Sequence, residues 1–196
     1  DCVTVMDKNT GRLLKELKED GHADNTIVFF YSDHGTGMPR GKRMLYDSGM
    51  RVALMVRFPR CYQHLAPSPP GTVKAELGKK DYMQGRRFLG RNCDPESDYV
   101  YGCRDRVDEV FECARSLRSR KYLYIRNYHP HLSHNQPSVF SDLGVTRQEI
   151  TRLAEEAPQT LNKAQMDYAG PGKPAEAFYD CDLDPHNLVN LLEGVM

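Results

Sequence analysis

The sequence predicts an α/β fold in its first part and a smaller antiparallel α+β unit in its second. Three observations carry that expectation. A leucine-periodic stretch precedes a continuously apolar run of β-branched and aromatic residues, and a second such run follows after a glycine-rich loop. Beyond about residue 82 the runs become short, partly alternating, and joined by charged turns. The boundaries that follow are 1–81 for the first part and 82–196 for the second.

Taken in order, the first element is a helix, because Leu13, Leu14 and Leu17 share a face with Val3 and Met6 upstream. Asp20-Gly21 ends it, glycine being the residue that closes a helix at least steric cost. Asp24-Asn25 is a turn, and residues 26–32 read as a strand buried on both faces. Residues 52–58 read as a second such strand, stopped by Pro59. Between them residues 33–49 form a loop with Gly35, Gly37, Gly41, Gly49, Pro39 and many charges. Residues 64–81, rich in Pro, Gly and Lys, read as a linker or surface loop.

Strands are expected at 99–103, 111–117 and 121–126, with Ser119-Arg120 as a hairpin-like connection. Residues 127–142 are a loop rich in His, Pro and Asn, and His129, His131 and His134 are placed on its surface, with pocket lining as the alternative for that loop. A helix over 146–156 has Ile150 and Leu153 on one face, Thr146 as its cap with Glu149 three residues on, and Pro158 as its stop. The tail reads as a strand at 178–181, then a turn and a terminal helix within 184–192.

Composition narrows the function classes. The 196 residues balance 27 Lys+Arg against 27 Asp+Glu, which argues against a general polyanion binder such as a nucleic-acid protein. The longest apolar runs, 27–31 and 52–56, are far too short to span a bilayer, so no membrane partner is expected. No basic-then-apolar leader opens the sequence. The hydrophobic share of 39% is lean, as for a piece that packs against more protein. Six scattered cysteines (Cys2, Cys61, Cys93, Cys103, Cys113, Cys181) form no CxxC pair and read as mostly free thiols.

The chemistry concentrates at Ser32-Asp33-His34-Gly35 and Arg40-Gly41-Lys42-Arg43. Ligand sites in open α/β sheets lie beyond the carboxyl ends of strands, where Asp33 and His34 fall. A carboxylate and an imidazole there suit a metal, and the Lys42 ammonium suits an oxyanion. By spacing alone the same residues serve equally as a turn cap, a half-buried imidazole and a solvated ammonium. Arg40 and Arg43 read as surface ion-pair partners, and Arg104, Asp105, Arg106, Asp108 and Glu109 as a charged turn.

The run Asn25-Thr-Ile-Val-Phe-Phe-Tyr-Ser-Asp-His-Gly35, with Arg40-Gly-Lys-Arg-Met-Leu-Tyr-Asp-Ser-Gly-Met-Arg-Val52 and Val56-Arg-Phe-Pro59, resembles the second signature region of sulfatases, members of the alkaline phosphatase superfamily. Residues 99–127 and the tail Phe178-Tyr-Asp-Cys-Asp-Leu-Asp-Pro-His-Asn-Leu-Val-Asn-Leu191 are similar to later blocks of that family, in the same order. The resemblance implies the C-terminal part of an alkaline-phosphatase-like sandwich plus a small antiparallel subdomain. It implies that Asp33 and His34 ligate a divalent metal, usually calcium. It also implies that Lys42 contacts the sulfate or the ester oxygen, and that Arg104 and Arg106 read substituents of the substrate. The partner implied is a sulfated small molecule or glycan, and the location implied is periplasmic, extracellular or lysosomal.

The family nucleophile, a formylglycine made from Cys or Ser in Cys/Ser-x-Pro-x-Arg, is not among these residues. Cys93-Asp-Pro-Glu-Ser97 and Ser68-Pro-Pro-Gly-Thr72 lack the arginine. The family's Asp-Asp ligand pair and the histidine that helps protonate the leaving group are also missing, as is a core segment normally placed after Pro59. The resemblance therefore implies a C-terminal piece that expects the rest of its domain, from an enzyme hydrolysing a sulfate ester or sulfamate. A catalytically inactive remnant or binding module, and a phosphatase or phosphodiesterase of the same superfamily, stand as alternatives.

Overall fold

The computed structural model describes residues 2–66, 94–95 and 97–193. Its elements are α1 (Cys2–Glu19), β1 (Val28–Tyr31), α2 (Asp47–Met50), β2 (Leu54–Arg57), β3 (Val100–Arg104), β4 (Ala114–Arg118), β5 (Tyr122–Asn127), α3 (Val145–Glu156), α4 (Lys163–Ala169) and β6 (Glu176–Asp180). The mixed α/β class is as expected. The chain divides into two compact units, one holding residues up to 31 and from 53 to the mid-90s, the other holding 32–52 and everything from 97 on. No helix among the described residues is long and apolar enough to cross a membrane.

In the first unit α1 ends where glycine dictates. Gly21 takes φ +75, and the His22 amide donates to the Leu17 carbonyl at 3.1 Å, so the last turn closes on itself. Strands β1 and β2 pair antiparallel, Val28 opposite Arg57 and Tyr31 opposite Leu54. These strands were expected to be buried on both faces, and they are not: Tyr31 is 67% exposed and Met55 60%. A ribbon of two strands has no second layer of its own, and no residue of α1 is buried. The apolar character of the runs therefore marks surface as well as core.

The second unit is built on a four-stranded antiparallel sheet in the order β3-β4-β5-β6. The registers place Ser116 opposite Ile125 and Ile125 opposite Ala177. Inward residues alternate along each strand, so Ala114, Leu123, Ile125, Ala177 and Tyr179 form one buried face. Met44, Leu45 and Tyr46 complete that core from the glycine-rich loop, and Tyr168 completes it from α4. Each fully buried aliphatic side chain contributes about 1.5–3 kcal/mol, so the loop is anchored by apolar burial as much as by hydrogen bonds.

Several local expectations change. The β4 strand begins at Ala114, because Glu112 before it turns inward to buried cations. Helix α3 starts at Val145 behind Gly144, with no side-chain cap, so Thr146 does not cap it. The capping box falls instead on α4, where Asn162 and Gln165 satisfy each other's backbone amides. Residues 184–193 form turns rather than a terminal helix. The linker expected at 64–81 lies largely outside the described residues. Cys2, Cys61, Cys103, Cys113 and Cys181 are free thiols.

Candidate functional site: a cationic cavity around the glycine-rich loop

Residues 32–52 fold back on themselves through short backbone bonds. Gly35 and Thr36 amides donate to the Gly49 and Ser48 carbonyls at 3.2 Å each, and the Lys42 amide donates to Thr36 at 2.6 Å. A Cβ on Gly49 would lie 2.3 Å from the Gly41 and Met44 carbonyl oxygens, so only glycine permits this closure. Lys42 follows Gly41 at the turn and is bracketed by Arg40 at φ 65 and Arg43 at φ 74. Non-glycine residues in the left-handed region are strained, and such strain persists where the surroundings over-determine it.

Asp33 and His34 follow β1 directly, as the sequence predicts. The His34 Nδ1 lies 2.6 Å from the Gly35 carbonyl, which can only accept, so Nδ1 carries a proton and Nε2 is the nitrogen a metal would meet. That Nε2 is 3.5 Å from the Asp33 carboxylate, whose side chain is 84% exposed. The pair thus offers one oxygen and one nitrogen donor. Calcium takes about six to eight oxygen ligands, and no group of three candidate ligands exists among the described residues. Asp33 and His34 fit as part of a donor set and do not make a cation site between them.

Lys42 lines a cavity of about 640 Å³ together with His34, Arg40, Arg43, Arg104, His134, Phe140, Arg147 and Tyr168. Arg104 ends β3 inside this wall and is buried against Glu112, whose carboxylate is shared with buried Lys173. Desolvation pulls the Arg104 guanidinium below its usual pKa although Glu112 opposes the shift. Lys173 is likewise lowered, first by burial. Arg106 does not join them: it lies exposed on the turn after β3, its Nε donating to the Asp108 carbonyl at 3.0 Å. Arg43 pairs with Asp108, and Arg147 pairs with Asp142 at 2.7 Å while donating to the Tyr168 hydroxyl at 3.0 Å.

His134 is the residue that sequence reasoning misplaced. It is buried rather than on a loop surface, with Nε2 3.3 Å from the Tyr46 hydroxyl. Burial, reinforced by the charges of Lys173, Arg104 and Arg40, pushes its pKa down to about 3, so the ring is neutral at pH 7. Glu112 and Lys173 were not singled out either. Glu112 falls inside the strand expected at 111–117 and Lys173 outside every expected element, and only the tertiary fold brings them within reach of Arg104.

Comparison with known proteins adds to this geometry. The family model described as Sulfatase matches residues 1–84. An ulvan-active sulfatase from Formosa agariphila is 37% identical over 196 residues, spanning 95% of this chain and 33% of its own length. A solved structure of a protein in complex with its substrate D-glucosamine-2-N,6-O-disulfate superposes with a TM-score of 0.59 at 16% identity, covering 98% of this chain and 35% of that one. A 2-O GAG sulfatase structure gives 0.59 at 17%, covering 96% and 36%. At such identity the two structures show a shared fold. The chain spans about a third of the length of these relatives.

Proposed function

The chain belongs to the sulfatase family, and from that premise we propose that it forms part of an enzyme hydrolysing a sulfate ester or sulfamate carried on a carbohydrate. One observation supports this above others. Lys42 lines a cationic cavity, bracketed by two left-handed arginines, and has no ion pair among the described residues. An ammonium left free in this way is available to sulfate oxygens, where it stabilises charge growing as the sulfur–oxygen bond breaks. Residues 1–81 then belong to the catalytic α/β domain and 82–196 to a C-terminal subdomain that walls the substrate pocket.

Asp33 and His34 would supply two ligands to a divalent cation, calcium by family habit. When bound, such an ion withdraws electron density from sulfate oxygens. The Cys/Ser-x-Pro-x-Arg motif that yields the formylglycine is not among these 196 residues, and no further ligand group joins the pair among the described ones. Arg104, from within the cavity, and Arg106, from the exposed turn after β3, are assigned to the sugar's substituents.

An aryl-sulfate assay with calcium tests the reading. Protein that joins this chain to a Cys/Ser-x-Pro-x-Arg segment should turn over, and Lys42→Ala should lower kcat about a hundredfold or more. Undiminished turnover in Lys42→Ala would refute the role given to Lys42. A non-catalytic binding module is the second reading. Binding of a sulfated sugar without turnover in the joined protein would establish it.

A further inference from the structure

The cavity wall carries five cationic side chains, Arg40, Lys42, Arg43, Arg104 and Arg147, and no aspartate or glutamate. Asp108 neutralises Arg43 and Asp142 neutralises Arg147. Glu112 must serve both Arg104 and Lys173, so this buried trio retains one positive charge in excess. Among the described residues neither Arg40 nor Lys42 has a carboxylate within ion-pair distance. Uncompensated buried charge is strongly unfavourable, and a protein that keeps it has a use for it.

The hydrogen-bond inventory points to the same wall. Arg104 and His134 are only 6% and 7% exposed, yet Arg104 Nε and His134 Nδ1 are buried without any partner. Buried polar atoms are nearly always satisfied, so two orphans on residues that line one cavity mark its wall as short of polar partners. The guanidinium can only donate. His134 Nδ1 donates as well in the tautomer whose Nε2 accepts from the Tyr46 hydroxyl. An unmet guanidinium donor beside excess positive charge wants anionic oxygen.

We propose that the Arg104–His134 wall is a second anion subsite, which takes a sulfate or carboxylate substituent of the bound sugar other than the group held at Lys42. The assignment deepens the proposed function and rests on the role given there to Lys42. A cavity of about 640 Å³ is of the size that takes a whole small ligand, leaving room for a sugar bearing two anionic groups.

The test is NMR on the full chain, following the His134 ring resonances, assigned by their loss in His134→Gln. Inorganic sulfate, glucosamine 6-sulfate and glucosamine N,6-disulfate are titrated at constant ionic strength. The subsite predicts a saturable His134 shift, with the disulfated sugar bound about tenfold more tightly than the monosulfated one, the value of one charge-assisted hydrogen bond. Arg104→Gln should erase that tenfold preference. A His134 resonance unmoved by all three probes in the unmodified chain overturns the subsite. So does a shift with inorganic sulfate but no preference for the second sulfate, which would mark a site for a free anion only. None of these readings depends on hydrolysis, so a failed titration leaves the role of Lys42 standing, and a failed turnover assay is told apart from it by the His134 shift.

Discussion

Two buried groups in the second unit, His134 and Glu112, invite tests at the scale of single residues. His134 has its folded pKa depressed to about 3 from 6.5, so the unfolded chain binds its proton first as pH falls. The stability it contributes is present above pH 6.5 and is lost progressively as pH drops towards 3, with a slope of about 1.4 kcal/mol per pH unit. Asp142, Glu149, Glu176 and Asp180 are also held low, by hydrogen bonds from neighbouring side chains and backbone amides, and the stability they contribute is lost as pH falls through the unfolded values of 3.8 and 4.5 and below. Urea midpoints between pH 6.5 and 5 should therefore fall in the native chain and stay level in His134→Gln. Equal slopes in the two would show that His134 is not the titrating group.

Glu112 gives the sharper contrast. Among the described residues it is the only carboxylate paired with Arg104 and Lys173. Replacing it with Gln leaves two buried cations unpaired and should destabilise the fold by about 3–5 kcal/mol. Lys173→Met instead removes the excess charge while leaving Arg104 paired, and should cost markedly less or stabilise. Chemical denaturation of the two variants decides this, and a reversed order would mean that Lys173 rather than Arg104 holds the carboxylate.

At the scale of elements, the glycine-rich loop is the part on which the site depends. Gly49→Ala places a methyl 2.3 Å from two backbone carbonyls, so the Gly35–Gly49 and Thr36–Ser48 backbone bonds must open. The expected loss is about 1–3 kcal/mol, as for overpacking of a tight site. It should coincide with weaker sulfate binding, because Lys42 rides on the same turn. Calorimetry with a sulfated sugar and thermal unfolding should change together. An Ala variant as stable and as tightly binding as the native chain would mean that the loop is not closed as described.

The same loop shows how far the sequence carries. Its position, its glycines, and the placing of Asp33 and His34 at its start and Lys42 in its middle are all legible, because turn chemistry and a linear motif are local properties. That Met44–Tyr46 fill the core under a distant sheet is not legible, since nothing in a glycine-rich, charged stretch signals burial. His134 lay in a stretch of His, Pro and Asn that composition assigns to solvent, and it was buried by long-range packing against Tyr46. The helix α4 was missed because its seven residues, Lys163–Ala169, are too short for periodicity to speak.

At the scale of the molecule, the two units differ in what protects them, and hydrogen exchange reads that difference directly. In the second unit β5 lies between β4 and β6, with Leu123 and Ile125 buried and its amides paired on both sides. Opening it means breaking the sheet and the core together, so its amides should exchange most slowly of all. The amides of Gly35, Thr36, Lys42 and Met44 are bonded within a loop whose Met44–Tyr46 segment sits in that core. They should exchange with the sheet rather than with β1 and β2, the strands that flank the loop in sequence. In the first unit α1 carries no buried residue, and β1–β2 is a two-stranded ribbon with exposed faces. Isolated ribbons and exposed helices open at small cost, so these amides should exchange orders of magnitude faster in the chain alone. Comparable protection in α1 and β5 would mean that the apolar residues Val3, Met6, Leu13, Phe29 and Met55, exposed here, are covered in solution. Protection of the loop that tracked β1 and β2 would place Lys42 in the first unit and remove the physical basis for a cavity shared with Arg104 and His134.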